Sequence, residues 1–395
     1  MPGMRNGLKP ALQIGLSLQT DADFLQAALP LLEGGHVDVL EYSFDTAWTP
    51  AGAPPWVDAL VDEYAAADRL LGHGVHFSAL TGADDGRQAR WLELLGDECK
   101  RRPYRHITEH FGFMSAGSFH DCAPLPVPMT DAAVALGQAR LRRLQEVSGR
   151  PVGLENLGFA FGLTDVMTQG AFLRRLLEPV GGFLLLDLHN LYCQSCNFRV
   201  PMSTLLDAYP VHLVRELHVS GGSWAAPMGE PFRRDTHDEP VPEDIFAFLP
   251  EALARCPGTE FVIFERMGGT LLSQGDQAQF REDFLRLRQV AGAAPRHDGW
   301  IPPPSLEPVP AVEYEDAPLY AFQCALLDLL ATDLAPAAIH RRIMQDPVFQ
   351  ASPNCARDFD LRAIATAQEL VRKWGRHAER NPAQWSFMQE RPEGV

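Results

Sequence analysis

Nine side chains of metal-ligand type stand in order along the chain: His73, His110, Glu155, Asp187, Asn190, His218, Asp235, His237 and Glu265. Most stand where an apolar run gives way to a polar segment, and Asp235 and His237 follow in RRDTHDEP. Imidazole and carboxylate suit iron, manganese and zinc, and no thiolate accompanies them. Burying an unpaired carboxylate is expensive. Glu155, Asp187 and Glu265 each close a strongly apolar run, in GLEN, LLLDLHN and FVIFER, so a cation must neutralise them. Lys and Arg are scarce at these ends, and Arg266 points to the opposite side of its strand from Glu265. A carboxylate such as Glu155 can bridge two ions. In Asp235-x-His237, alternate residues of an extended segment point the same way and can reach one ion. The reading is a multinuclear metal site. Glu41, Glu109 and Asn156 are expected to orient the ligands or face the substrate. His76, His106, His120 and His212 are read as ordinary polar positions.

Eight β-prone apolar runs must position these groups: 11–18, 37–44, 72–80, 105–113, 151–158, 182–190, 213–222 and 260–268. Helical patterns fill the intervals. In 130–149, Val134, Leu136, Leu141 and Leu144 form one face, with Thr130 or Asp131 as N-cap and Gly149 as stop. A second clear amphipathic helix is expected over 276–293. Near-continuous apolar strands alternating with helices predict a parallel sheet covered on both faces. Eight of them predict an α/β fold, a (β/α)₈ TIM barrel, whose C-terminal strand ends converge on one mouth.

The expected organisation is a metal-binding barrel domain over 1–298, a Pro-rich linker over 299–312 and a helical C-terminal domain over 313–395. Five prolines in IPPPSLEPVP mark the linker as an extended spacer. The tail has helical character over 317–332, 336–345 and 358–377, with Leu326, Leu329, Leu330, Ile339, Ile343, Ile364, Leu370 and Trp374 expected to be buried.

The chain has 395 residues, and 34 Lys and Arg against 51 Asp and Glu give a net charge of −17. Such a surface repels phosphate backbones, so no nucleic-acid partner is expected. No apolar run is long enough to span a membrane, and MPGMRNGLKP does not read as a secretory leader. Seven scattered cysteines read as reduced thiols of a cytoplasmic protein. Cys193 and Cys196 form a lone CxxC, a weak zinc signal without a second pair. Trp224 and the segment 223–234 are read as part of a lid over the mouth.

HGVHFS, TEHFGF, GLENLG, LLLDLHNLY, ELHVSGG, DTHDEPV and FVIFE together resemble the multinuclear non-heme iron-dependent oxidases, formerly grouped as DUF692. The resemblance covers roughly residues 10–290 and includes the order of every motif. It implies a barrel of xylose isomerase-like type holding two or three iron ions in mixed Fe(II)/Fe(III) states. It implies O₂ as co-substrate and a ribosomally made precursor peptide, modified at a cysteine or an aspartate, as partner. All nine ligand candidates match the family pattern. Asn190 favours this family over endonuclease IV, where histidine stands at that place. Two positions depart from it. His189 stands where asparagine is common, and would add a ligand or a hydrogen-bond donor. Thr108 replaces a common serine. Members commonly act with a small leader-binding partner, and the tail is read as its fused equivalent or as a cap on the barrel. Two other functions fit the residues alone: a metal-dependent hydrolase or isomerase on the same barrel, and a non-catalytic metal-dependent peptide-binding protein.

Overall fold

The computed structural model describes residues 12–83, 86–117, 119, 123–294, 315–350 and 358–374. The expected linker, His120, the side chain of Trp374 and the chain beyond it lie outside the described residues.

Eight parallel strands close into a barrel. They are β1 (Gln13–Leu18), β2 (Val39–Tyr42), β3 (Leu70–Gly74), β4 (Ile107–His110), β5 (Val152–Glu155), β6 (Phe183–Asp187), β7 (Val214–Val219) and β10 (Phe261–Phe264). Each pairs with the next, and β1 pairs with β10 to complete the ring. Between β7 and β10, β8 (Trp224–Ala225) and β9 (Phe232–Arg233) form a small antiparallel hairpin. Helices cross over between successive barrel strands, so the strands are covered on both faces and nearly every strand residue is buried.

The helix bounds follow from capping. Asp131–Ser148 begins where Thr130 Oγ1 accepts from the Ala133 amide at 3.1 Å, and stops at Gly149 in the left-handed conformation. The last barrel helix runs Gln274–Gly292 rather than from 276. Ser273 and Asp276 form a reciprocal capping box there, and that moves the start back.

Side chains two apart share a face of a strand. Val39, Leu71, Phe261 and Ile263 form an apolar plug inside the barrel. Gly15 belongs to the same level: a Cβ there would lie 2.6 Å from Val39 Cγ2 and 2.8 Å from Ile263 Cδ1. Toward the N-terminal end of the barrel, His106 stands 2.6 Å from Glu216, with its ring against Phe183 and Phe261. Two residues beyond the plug toward the C-terminal end come Glu41, His73 and Glu265, and His218 stands two beyond Glu216. Period two alone therefore gathers the polar groups at the mouth.

The tail comprises Ala317–Leu330, Pro336–Gln345, a short turn of helix at Pro347–Gln350 that the sequence reading did not anticipate, and Leu361–Trp374. Leu326, Leu329, Leu330, Ile339, Ile343 and Ile364 are buried and Leu370 is half-buried. These helices rest on the loops that follow β3, β4 and β5, on the mouth side. The buried Gln323 amide accepts from Gly82 N at 2.8 Å and donates to Leu80 O at 2.7 Å. Tyr320 Oη accepts from Gly117 N at 3.0 Å. Phe359 stacks on Phe161 with ring centroids 4.5 Å apart. Tail and barrel residues share one continuous apolar core. Among the described residues, no helix is long and apolar enough to cross a membrane.

Candidate metal centre

The strand ends bring the ligand candidates into overlapping groups whose donor atoms lie within 4.8 Å of one another. His73, His110 and Glu155 form one group, and Glu155, Asp187 and His218 the next. Asp187, His237 and Glu265 form a third, and Asp235 with His237 a fourth that also touches His189. Glu155 Oε2 stands 3.6 Å from His73 Nε2 and 3.5 Å from His110 Nε2. Glu265 Oε2 stands 3.0 Å from His218 Nδ1 and 3.7 Å from His237 Nδ1. Glu41, Glu216 and His218 form a fifth, and Glu155, Asp187, His218 and His237 each belong to two groups, so the cluster is continuous rather than a set of separate pockets.

His110 Nδ1, Asp187 Oδ2 and Asn190 Oδ1 are buried in this cluster without a hydrogen-bond partner, and His218 Nδ1, His237 Nε2 and Glu265 Oε2 face other ligand candidates. Buried polar atoms are normally satisfied, so their convergence needs a cause. His218 supplies the clearest case. Its Nε2 lies 3.1 Å from Glu41 Oε2 and donates to it, which leaves a lone pair on Nδ1 facing Glu265 Oε2 at 3.0 Å. Two lone pairs at that distance repel unless a proton or a cation lies between them. His73 is oriented in the same sense. Thr108 Oγ1 donates to Gly72 O at 3.2 Å, so it accepts from His73 Nδ1 at 2.9 Å and turns the Nε2 lone pair toward Glu155. The residues present fit a cluster of hard or borderline cations.

Without a cation the carboxylates carry the strain. Burial pushes Asp187 up to about 8, reinforced by Asp235 and Glu265. Burial also raises Glu155 well above the usual carboxylate range. Glu41 rises to about 7 through burial, held back by His218. At Glu265 burial is outweighed by His218 and His237, which hold it at about 2. His73 and His110 are lowered by burial first. At His218 and His237 burial opposes the charge, but Glu265 and Asp235 respectively overcome it and raise both.

The supporting groups are placed unevenly. Asn156 clamps the Asp187 backbone, accepting from its N at 2.7 Å and donating to its O at 3.2 Å. Asp187 in turn caps the helix Leu188–Phe198, its Oδ1 accepting from Asn190 N at 2.6 Å. Asn190 Nδ2 donates to Glu155 Oε1 at 3.2 Å. Glu41 Oε2 faces His218 Nε2 at 3.1 Å. Glu109 does not join them. It lies between the inward-facing Thr108 and His110, so alternation sends it to the outer face of β4, against Gly74 and near Trp91. The expected geometry of Asp235-x-His237 also differs. His237 has φ +52°, so the segment turns in a left-handed conformation rather than running extended, and the turn sets His237 Nε2 2.8 Å from Asp235 Oδ1.

Of the positions read as ordinary, His212 is exposed beside Glu178, the His76 amide donates to Asp45 Oδ2, and His106 is wholly buried against Glu216. Glu216 was not singled out from the sequence, although it shares parity with His218 in RELH and completes a buried series Glu41–His218–Glu216–His106. Cys193 is buried with Sγ 3.9 Å from the His189 ring, Cys196 is half-buried, and neither joins a candidate ligand group among the described residues. The 223–234 segment is anchored by buried Phe232 and Arg233, while Trp224 and Met228 stand exposed.

A family model described as "RiPP precursor modification enzyme MbnB/TglH/ChrH" matches residues 14–268. A UPF0276 protein of Caulobacter vibrioides is 31% identical over 252 residues, covering 63% of this chain and 85% of its own. A UPF0276 protein of Acaryochloris marina is 28% identical, covering 58% and 86%. Among solved structures, a xylose isomerase domain-containing protein from Salmonella typhimurium aligns at TM-score 0.45 and 13% identity, over 72% of this chain and 99% of that one. Endonuclease IV from Thermus thermophilus aligns at TM-score 0.44 and 13% identity, over 70% and 99%.

Proposed function

The chain belongs to the MbnB/TglH/ChrH family of RiPP precursor modification enzymes, and from that premise we propose that it is a multinuclear iron oxidase that uses O₂ to modify a ribosomally made precursor peptide. The modified residue in this reading is a cysteine or an aspartate of the precursor, and the reaction takes place in the cytoplasm. The observation that carries the metal reading is the set of overlapping groups of imidazole and carboxylate donor atoms within 4.8 Å of one another, with Asp187 Oδ2 buried among them without a hydrogen-bond partner. Imidazole and carboxylate donors without thiolate suit iron, as they do manganese and zinc, and the resemblance to the iron-dependent oxidases favours iron.

The assignment of roles follows the overlap of the groups. His73, His110 and Glu155 would hold one ion, and Glu155, Asp187 and His218, with Glu265 beside His218, would hold a second. Asp235 and His237 would hold a third, with Asn190 the remaining candidate. Bound iron supplies redox chemistry with O₂ that amino-acid side chains lack. The chain's own residues supply charge and position. Thr108 and Glu41 fix the tautomers of His73 and His218, and Asn156 fixes the Asp187 backbone. The peptide enters from the mouth, where His110, Asp235 and His237 remain partly exposed.

In the same reading, residues 1–298 form the oxidase domain, 299–312 a spacer and 313–395 a unit that helps to hold the peptide. The tail's seat on the loops after β3, β4 and β5 supports this, because those loops rim the mouth.

The test is metal analysis of anaerobically purified protein with Mössbauer spectroscopy, followed by O₂ consumption with candidate peptides. Two to three irons per chain with coupled pairs support the oxidase. Stoichiometric zinc or manganese with no iron uptake on reconstitution overturns it and favours hydrolysis or isomerisation. Iron without peptide-dependent O₂ consumption favours a binding role.

A further inference from the structure

His189 is the least expected residue at the mouth. It is fully buried beside Asp235 and His237, and on distance alone it could be counted with them as a ligand. Its hydrogen bonds say otherwise. Nδ1 lies 2.9 Å from Asp235 Oδ1. The guanidinium of Arg233 approaches the other nitrogen, with Nε and one terminal nitrogen each 3.3 Å from His189 Nε2. A guanidinium only donates, so Nε2 must carry the lone pair and Nδ1 the hydrogen. Nδ1–H then donates to Asp235. Both ring nitrogens are used, and a fixed positive charge stands where an ion on Nε2 would have to sit.

We propose that His189 is a positioning residue, not a metal ligand: its ring, held by Arg233 on one nitrogen, donates from the other to Asp235 Oδ1, the oxygen that also faces His237 Nε2, and so fixes the carboxylate beside His237. This rests on the metal-centre reading above and assigns the one residue there whose role the sequence left open.

Arg233 is built in to do this. Its guanidinium lies 5.4 Å from the ring centroids of both Tyr192 and Trp224. Its backbone is gripped from both sides by Asn197, which accepts from Arg233 N at 2.7 Å and donates to Arg233 O at 2.9 Å. Asn197 O in turn accepts from Arg362 of the tail at 3.0 Å. The His189 ring has no room to swing out. Cys193 Sγ lies 3.9 Å from both nitrogens, and a Cβ on Gly222 would come within 2.7 Å of Cε1.

The test compares His189→Asn, which keeps a donor near the Nδ1 position, with His189→Leu, which removes both polar contacts. Metal-free protein of each variant is titrated with Co(II), following visible absorption and bound equivalents, with affinity measured by chelator competition and folding checked by circular dichroism. The expected result is a wild-type number of Co(II) ions and an unchanged spectrum for His189→Asn. His189→Leu should bind the same number at saturation, with the weakest ion loosened about 10- to 100-fold, as loss of an orienting partner typically does. Loss of one full equivalent in folded His189→Asn, together with a changed spectrum, would make His189 a ligand and overturn the proposal. Failure of the wild-type protein to bind any Co(II) would instead overturn the metal-centre reading itself.

Discussion

Replacing Asp187 by asparagine should make the metal-free protein more stable at pH 8 while costing it a metal ion. Asp187 is fully buried, and burial with the neighbouring carboxylates moves its titration from an ordinary 3.8 to about 8. Below pH 3.8 the folded and unfolded chains both hold the proton, and the residue adds no pH dependence. Between there and about 8 only the folded chain holds it, so stability falls as pH rises. The slope is ~1.4 kcal/mol per pH unit, or roughly 4 kcal/mol between pH 5 and pH 8. Asparagine carries no titrating group and keeps a side-chain oxygen to cap the helix Leu188–Phe198, where the Asn190 amide needs an acceptor. Urea unfolding in EDTA at pH 5, 6, 7 and 8 should show Asp187→Asn gaining on wild type at each step and overtaking it by pH 8. Iron or Co(II) should reverse that order, because the wild-type carboxylate then has its counter-ion. Parallel pH profiles in EDTA, or a variant less stable than wild type at pH 8, would refute the claim that Asp187 is buried without compensation.

Glu155→Gln removes the carboxylate shared by two ligand groups, so metal analysis should show a loss of at least one equivalent, whereas retention of the full complement would deny the bridging role. Glu216→Leu strands His106 inside the barrel, 2.6 Å from where its partner stood. It should cost about 3–5 kcal/mol in denaturant unfolding, and adding His106→Leu should recover most of that; an equal cost in the double variant would show that the pair is not what matters. Removing 311–395 should leave the metal count of the folded barrel unchanged and weaken peptide binding at least tenfold, about 1.4 kcal/mol, by calorimetry. Loss of soluble, folded barrel would instead mark the tail as a cap.

The barrel was legible in the sequence for a physical reason. Strands covered on both faces must be apolar throughout, so a carboxylate closing such a run stands out, and Glu155, Asp187 and Glu265 all announced themselves that way. Parity was present too but used incompletely. In RELH the two-residue spacing puts Glu216 on the face of His218, and in TEH it puts Glu109 on the face opposite His110. Both could have been assigned from alternation along β7 and β4. The backbone of His237 is not legible in the sequence, because nothing in DTHDEP signals a left-handed histidine.

Arg233 is a different kind of omission. It lies 44 residues from His189 in sequence and reaches it only because the β8–β9 hairpin folds back onto the helix Leu188–Phe198, fixed by Asn197 at both backbone atoms of Arg233. No local pattern encodes that contact. Lys and Arg are scarce at the barrel strand ends themselves, and the cation that orders this part of the mouth comes from the β8–β9 hairpin. Its consequence is chemical. A guanidinium facing His189 decides which ring nitrogen holds the hydrogen, and so whether a histidine at that position joins the ligands or aims one of them. The same imidazole without Arg233 would present a lone pair to the cluster. Substitutions at 233 and 189 should therefore be non-additive in Co(II) affinity: once His189 is leucine, Arg233→Gln should cost little more.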